Sequence, residues 1–154
     1  MTTGAFFVET LFMPTHGQWN DWRWQLANRV RTVDGLSARF PSWTPSEGVR
    51  RAAARYPLLV TPYYASLVGK EDSSDAVFAQ CVPSALELED NVCLNPDPLQ
   101  EDTHMPVPGL VHRYRDRALL LASSSCATYC RHCNRKRRAS ASADTSRNAL
   151  DISR

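Results

Sequence analysis

Three cysteines within eight residues, Cys126, Cys130 and Cys133 in the run Cys-Ala-Thr-Tyr-Cys-Arg-His-Cys, constrain this chain more than any other feature. The segment reads as a loop that turns three thiolates toward one point. Soft donors of this kind suit an iron–sulfur cluster, zinc or copper(I). A four-iron cluster held by three thiolates keeps one iron open, and an open iron is where chemistry happens. A structural zinc site takes four closed ligands, so His132 or His112 would have to complete it. Unrelated free thiols are the third alternative.

The 154 residues, 43% of them hydrophobic, suffice for one domain with a core. They fall short of the about 250 residues of a complete (β/α)8 barrel. Five cysteines, three of them crowded together, are unlike the dispersed even set of a secreted disulfide framework. A reducing compartment fits better. Phe6, Phe7, Val8, Leu11 and Phe12 make the start apolar, but Glu9 interrupts the run and no basic leader precedes it, which argues against a secretory signal. No stretch approaches the ~18 apolar residues of a spanning helix. The expectation is a cytoplasmic, soluble protein with no membrane partner.

Trp19, Trp22, Leu26, Val30 and Val33 recur at steps of three and four. They predict one helix from an Asn20 cap to Gly35. Thr44-Pro45-Ser46-Glu47 predicts a second helix, with Pro45 at its first position, running to about Tyr56 and stopped by Pro57. Thr61-Pro62 opens a short third helix closed by Gly69, and Asp75 to Gln80 a further helical turn. Prolines at 96, 98, 106 and 108 make Asn95 to Gly109 an ordered irregular strap. The apolar run from Arg117 to Ala122 predicts one fully buried strand, with the cysteine loop leaving its carboxyl end. The predicted organisation is a helical region over 1–94, the strap, strand and cysteine loop over 95–138, and a disordered serine- and alanine-rich tail over 139–154.

The tryptophan stripe reads first as helix packing, since each ring carries a large apolar area. Cys81 and Cys93 stand apart from the trio and read as buried small hydrophobes. His16 and His104 lack partner spacing and receive no role. Arg131, Arg135, Lys136, Arg137 and Arg138 form a basic run inside a chain whose net charge is only +2. A nucleic-acid patch is one reading of it. Interleaved aromatics and base-reading elements are missing, so anionic small molecules explain the charges better and no nucleic-acid partner is expected.

The cysteine loop resembles the signature of the radical S-adenosylmethionine enzymes. In order along the chain, Trp19-Asn20-Asp21-Trp22-Arg23-Trp24-Gln25, Thr61-Pro62-Tyr63-Tyr64, Asp97-Pro98-Leu99 with Glu101-Asp102, Pro106-Val107-Pro108-Gly109-Leu110, and His112-Arg113-Tyr114 with Asp116-Arg117 narrow the resemblance. It is to the lysine 2,3-aminomutase family, over roughly Trp19 to Arg138, and glutamate-specific aminomutases share most of these motifs. The resemblance implies an α/β fold, with an N-terminal helical arm leading into the first strand and cluster loop of a radical SAM (β/α) barrel. It implies an isomerase that moves the amino group of L-lysine from the α to the β carbon. Its cofactors would be a 4Fe-4S cluster, S-adenosyl-L-methionine and pyridoxal phosphate. Cys126, Cys130 and Cys133 become the cluster ligands. His132 becomes the S-adenosylmethionine contact, Arg113, Tyr114 and Arg117 become pyridoxal phosphate contacts, and Arg135 grips the substrate carboxylate. The implied partners are an amino acid substrate, an electron donor such as flavodoxin or ferredoxin, and further copies of the chain in a homo-oligomer. Family members continue well past this length, through the remaining barrel strands and the lysine that binds pyridoxal phosphate. The expectation is therefore a truncated chain, inactive alone, with a glutamate-type fragment or a non-catalytic iron–sulfur or zinc module as the alternatives.

Overall fold

A computed structural model describes residues 14–89, 95, 97–123, 126–136 and 138. Six short helices come first: α1 His16–Asn20, α2 Trp22–Ala27, α3 Val33–Arg39, α4 Glu47–Arg55, α5 Pro62–Ser66 and α6 Ala76–Cys81. A 3₁₀ turn, Ala85–Leu88, follows, and after the strap come two strands, β1 Leu110–Tyr114 and β2 Arg117–Leu120. Among the described residues the regular structure is chiefly helical, with one small sheet. The tail over 139–154, the apolar start over 1–13 and Cys93 lie outside them.

Capping explains why the helices are short and numerous. Thr15, Asp21, Thr32, Ser46, Thr61 and Asp75 each accept a backbone N–H of the helix they precede, which satisfies donors that a helix start leaves without an internal partner. The single helix predicted from Asn20 to Gly35 is therefore broken. The Asn28 side chain donates to the Trp24 carbonyl and Arg29 Nε to the Leu26 carbonyl, closing α2. Val30 then pairs with Val60, and Thr32 starts a new helix. Gly35 lies inside that helix because a Cβ there would sit 3.1 Å from both the Thr32 hydroxyl and the Val30 side chain. The second helix is capped by Ser46, so Pro45 precedes its cap and does not open it. The third ends at Ser66, while Gly69 instead donates its N–H to Asp75, the cap of α6.

One apolar cluster holds the helices together, with Leu36, Phe40, Leu58, Val60, Phe78 and Cys81 buried at its centre. The rings of Phe40 and Phe78 lie 5.5 Å apart, and Trp43 meets Phe78 edge-on at 5.9 Å. Cys81 is fully buried, as its sequence context predicts. Val60 is central in a second sense. It exchanges hydrogen bonds with Val30 on one side and pairs with Thr128 on the other, so the cysteine loop joins the core through a three-segment ladder.

The strand predicted over Arg117 to Ala122 forms only as far as Leu120, and it is not buried. Leu119 and Leu120 are 41% and 50% exposed. β2 is one arm of an antiparallel hairpin with β1, in register Leu110 with Leu120 and Val111 with Leu119. Arg115 and Asp116 alone join the arms, whereas parallel pairing needs a crossover of about a dozen residues. The described residues bury Val111 of β1 but leave β2 exposed along its length, and that is the reason the burial prediction fails. β1 went unpredicted because its polar sequence, Leu-Val-His-Arg-Tyr, carries no apolar alternation.

Candidate metal centre

The cysteine loop is fixed by its backbone. Thr61 N–H donates to the Ala127 carbonyl at 3.1 Å and Tyr129 N–H to the Leu59 carbonyl at 2.8 Å. Arg131 N–H reaches the Gln80 carbonyl at 2.8 Å, and Arg29 Nη1 holds the Cys126 carbonyl at 3.1 Å. Beyond Cys130 the chain turns tightly, with Cys133 N–H bonded to the Cys130 carbonyl at 3.2 Å. The Arg135 N–H points at the Cys133 sulfur, 3.3 Å away.

Cys126 and Cys133 are exposed, Cys130 is half-buried, and none of the three is in a disulfide. Among the described residues no three metal-ligating side chains converge on one point. The donor set nonetheless fits a thiophilic metal or cluster: free soft ligands, open to solvent, on one anchored loop. His132 is exposed beside them. Cys130 lies near the phenol of Tyr64, whose pKa is raised first by burial and further by the Cys81 and Cys130 thiols. Burial pushes Cys81 itself up to about 11, the signature of an inert structural thiol.

Four described cations of the basic run, Arg131, Arg135, Lys136 and Arg138, pair with carboxylates of the chain. Arg131 is buried and pairs with Glu87 at 2.7 Å, and Lys136 also bonds Glu87 while its ammonium sits 4.1 Å from the Tyr56 ring. Arg135 and Arg138 close on Glu101, a carboxylate only 3% exposed, and Arg138 reaches Asp102 at 2.8 Å as well. Buried Glu101 and largely enclosed Glu87 therefore each pair with two cations of one run. Burial alone would raise the Glu87 carboxyl, but hydrogen bonds from Arg131 and Lys136 outweigh it and hold the group below its ordinary value. Burial lowers Lys136, and Glu87 partly offsets that. Nothing in the sequence gives Glu87 or Glu101 a pairing role or marks Arg131 for burial. Ser84-Ala-Leu-Glu87 does carry a capping-box signal, and the structure shows it formed.

Arg113, Tyr114 and Arg117 lie together at the turn end of the hairpin. The Arg117 and Arg113 guanidiniums stand 4.6 and 5.8 Å from the Tyr114 ring, and Arg113 Nη1 donates to the Leu99 carbonyl of the strap at 3.0 Å. All three are exposed. The tryptophan segment packs as predicted in part: Trp19 lies 6.3 Å from Trp24 and 6.4 Å from Tyr63, while Trp22 stays 60% exposed. Buried Gln25 ties this segment to the next motif, donating to the Trp19 carbonyl and accepting the Tyr63 N–H. Among the described residues no helix is long and apolar enough to cross a membrane.

No family model matches the chain. Curated proteins do. The L-lysine 2,3-aminomutase of Clostridium subterminale is 48% identical over 128 residues, covering 82% of this chain and 31% of that protein. The L-lysine 2,3-aminomutase of Bacillus subtilis (strain 168) is 45% identical over 121 residues, 78% of this chain and 26% of that protein. The glutamate 2,3-aminomutase of Clostridioides difficile (strain 630) is 35% identical over 124 residues, 80% of this chain and 29% of that protein. The chain thus spans between 26% and 31% of the length of these relatives.

Proposed function

We propose that this chain, which belongs to the lysine 2,3-aminomutase family, carries the cluster-binding segment of a radical S-adenosylmethionine aminomutase together with part of its cofactor and substrate contacts. The observation that carries this reading is the anchored loop that presents Cys126, Cys130 and Cys133 as free thiols. In it, those cysteines hold a 4Fe-4S cluster and His132 contacts S-adenosylmethionine. Arg113, Tyr114 and Arg117 hold pyridoxal phosphate. When bound, these groups supply one-electron radical chemistry and an electron sink for the migrating amine. The protein's own residues bind and orient. Paired guanidiniums on the hairpin suit a phosphate. Arg135 is the proposed contact of the substrate carboxylate, and Glu101 accepts from its Nε and Nη2, which fixes the plane of the guanidinium.

L-lysine is the proposed substrate, supported by the higher identity to the lysine-named proteins of Clostridium subterminale and Bacillus subtilis, 48% and 45%, than to the glutamate-named one, 35%. The organisation proposed with it is a helical region over 1–94 and a cluster region over 95–138, the latter leading into a (β/α) barrel. An electron donor of the flavodoxin or ferredoxin type and self-association complete the picture. Turnover belongs to the whole-length protein, since these 154 residues span less than a third of the three relatives compared above.

Anaerobic reconstitution with iron and sulfide tests the reading. The expected result is about four irons per chain, a Mössbauer spectrum with one distinct iron site after S-adenosylmethionine is added, and loss of the cluster in Cys126→Ala. The 154 residues alone should form no β-lysine. A spectrum indifferent to S-adenosylmethionine, or zinc in place of iron, would convert the assignment to a non-catalytic metal module.

A further inference from the structure

We propose that Glu87 and Arg131 are a positioning pair that seats the cysteine loop and sets the direction of Cys130, an inference that rests on the cluster-binding reading above. Arg131 stands between Cys130 and His132 in sequence. Its neighbours Cys126, His132 and Cys133 are exposed, yet its own side chain is only 4% exposed. A long cation does not enter a protein interior unless it is paired and hydrogen-bonded there.

Here the pairing is complete. Arg131 Nε donates to Glu87 Oε1 at 3.0 Å and Nη2 to Glu87 Oε2 at 2.7 Å. Nη1 donates to the carbonyls of Pro57 at 3.0 Å and Tyr56 at 3.3 Å, and Nη2 also reaches the Tyr56 carbonyl at 3.3 Å. A guanidinium has five N–H groups, and these contacts use all of them. Glu87 is equally occupied, since Oε1 also accepts the Ser84 N–H at 2.8 Å and Oε2 the Lys136 ammonium. The acceptor carbonyls end α4, and the carboxylate stands on the turn against which α4 packs. Gly48 of α4 permits that approach, because a Cβ there would meet the Ala85 Cβ at 2.6 Å. Arg131 is thus bolted to a preformed corner of the helical unit.

That arrangement sets register. The loop is laddered to the core by the bonds flanking Val60 and Thr128, with a further backbone bond from Arg131 N–H to the Gln80 carbonyl, and a slip of one residue in such pairing turns side chains to the opposite face. A slip here would draw the guanidinium from its carbonyl cage and reverse the thiol beside it. A lysine offers no planar fork for the same acceptors. Buried ion pairs are weak sources of net stability and are retained in several systems for specificity. The pair therefore acts through Cys130 and His132 and touches no substrate.

The test compares the full chain with Glu87→Gln, Arg131→Lys and the double variant Glu87→Leu with Arg131→Met. The double variant replaces the pair by apolar groups and should keep the wild-type far-ultraviolet circular dichroism. In the metal-free wild type, Cys130 should alkylate about 10-fold more slowly than Cys126 and Cys133, because reaction awaits local opening. The variants should erase that difference while Cys81 stays protected. After anaerobic reconstitution and gel filtration they should retain about 10-fold less iron and sulfide than the wild type, by the same local freedom of the loop. Lysine at 131 should not rescue. Hydrogen exchange on the wild type needs no variant to fold: the amides of Tyr129 and Arg131 should be as protected as that of Val60. Free exchange at those amides, an unchanged alkylation pattern, or variants that retain as much iron as a wild type that loads its cluster overturns the proposal. A wild type that takes up no iron but protects Cys130 through this pair sinks the cluster reading and leaves the seat standing.

Discussion

The cysteine loop and the hairpin before it make opposite uses of their side chains. The loop is polar and basic, yet it is anchored: Arg131 is buried, and Glu87 and Glu101 gather four cations between them. The hairpin contains Ala-Leu-Leu, the most continuous apolar stretch of the second half, yet both leucines face solvent. Hydrophobicity drives burial only where another surface stands opposite. The loop finds the wall formed by Val60, Gln80 and the end of α4, whereas in the hairpin Val111 of β1 is buried and β2 is exposed along its length.

The sharpest attack on this contrast is to remove the wall. Phe78→Ala empties the space against which Phe40 and Trp43 pack, and urea unfolding followed by circular dichroism should show a loss of about 3–5 kcal/mol. Arg131→Ala should cost about 3 kcal/mol or more by the same measurement, because it leaves Glu87 as a buried charge short of its main partner. Gly48→Ala should cost about 1–3 kcal/mol by overpacking, since the turn carrying Glu87 has to move away from α4.

Acid probes the loop's anchor specifically. The Glu87 carboxyl is held below its ordinary 4.5 in the folded chain, so the unfolded chain binds that proton first. Its contribution is present above pH 4.5 and drains away as pH falls through that value and below. Melting temperature should therefore drop on acidification, and Glu87→Gln should flatten that part of the profile. The smallest effect belongs to the hairpin. Leu119→Ser should change stability by about 0.5 kcal/mol or less, because the side chain is 41% exposed. A loss as large as that of Phe78→Ala would show that the hairpin is covered after all.

Local signals were legible where chemistry is local. Thr61-Pro62 and Asp75 cap helices where their spacing predicts, and Cys81 is buried. Periodicity failed at Trp19 to Val33, where a repeat of threes and fours runs across two helix breaks. Asn28 and Arg29 end one helix with their side chains and Val30 enters a ladder, which a hydrophobic stripe does not record. The candidate site divides in the same way. The cysteine trio, His132 and Arg135 stand out by type and spacing, whereas Glu87, 44 residues from its partner Arg131, carries only the mark of a capping box.

What the sequence alone determined is the chemistry on offer: three soft donors in one short loop, a basic run beside them, capped short helices, and likeness to a family of aminomutases. Those are properties of residue type and spacing, which survive without a fold. The tertiary structure decided which charges are used up internally, which apolar stretch remains wet, and which arginine anchors the loop. These depend on pairings between segments far apart in the chain, where burial turns a weak surface attraction into a geometrically demanding one.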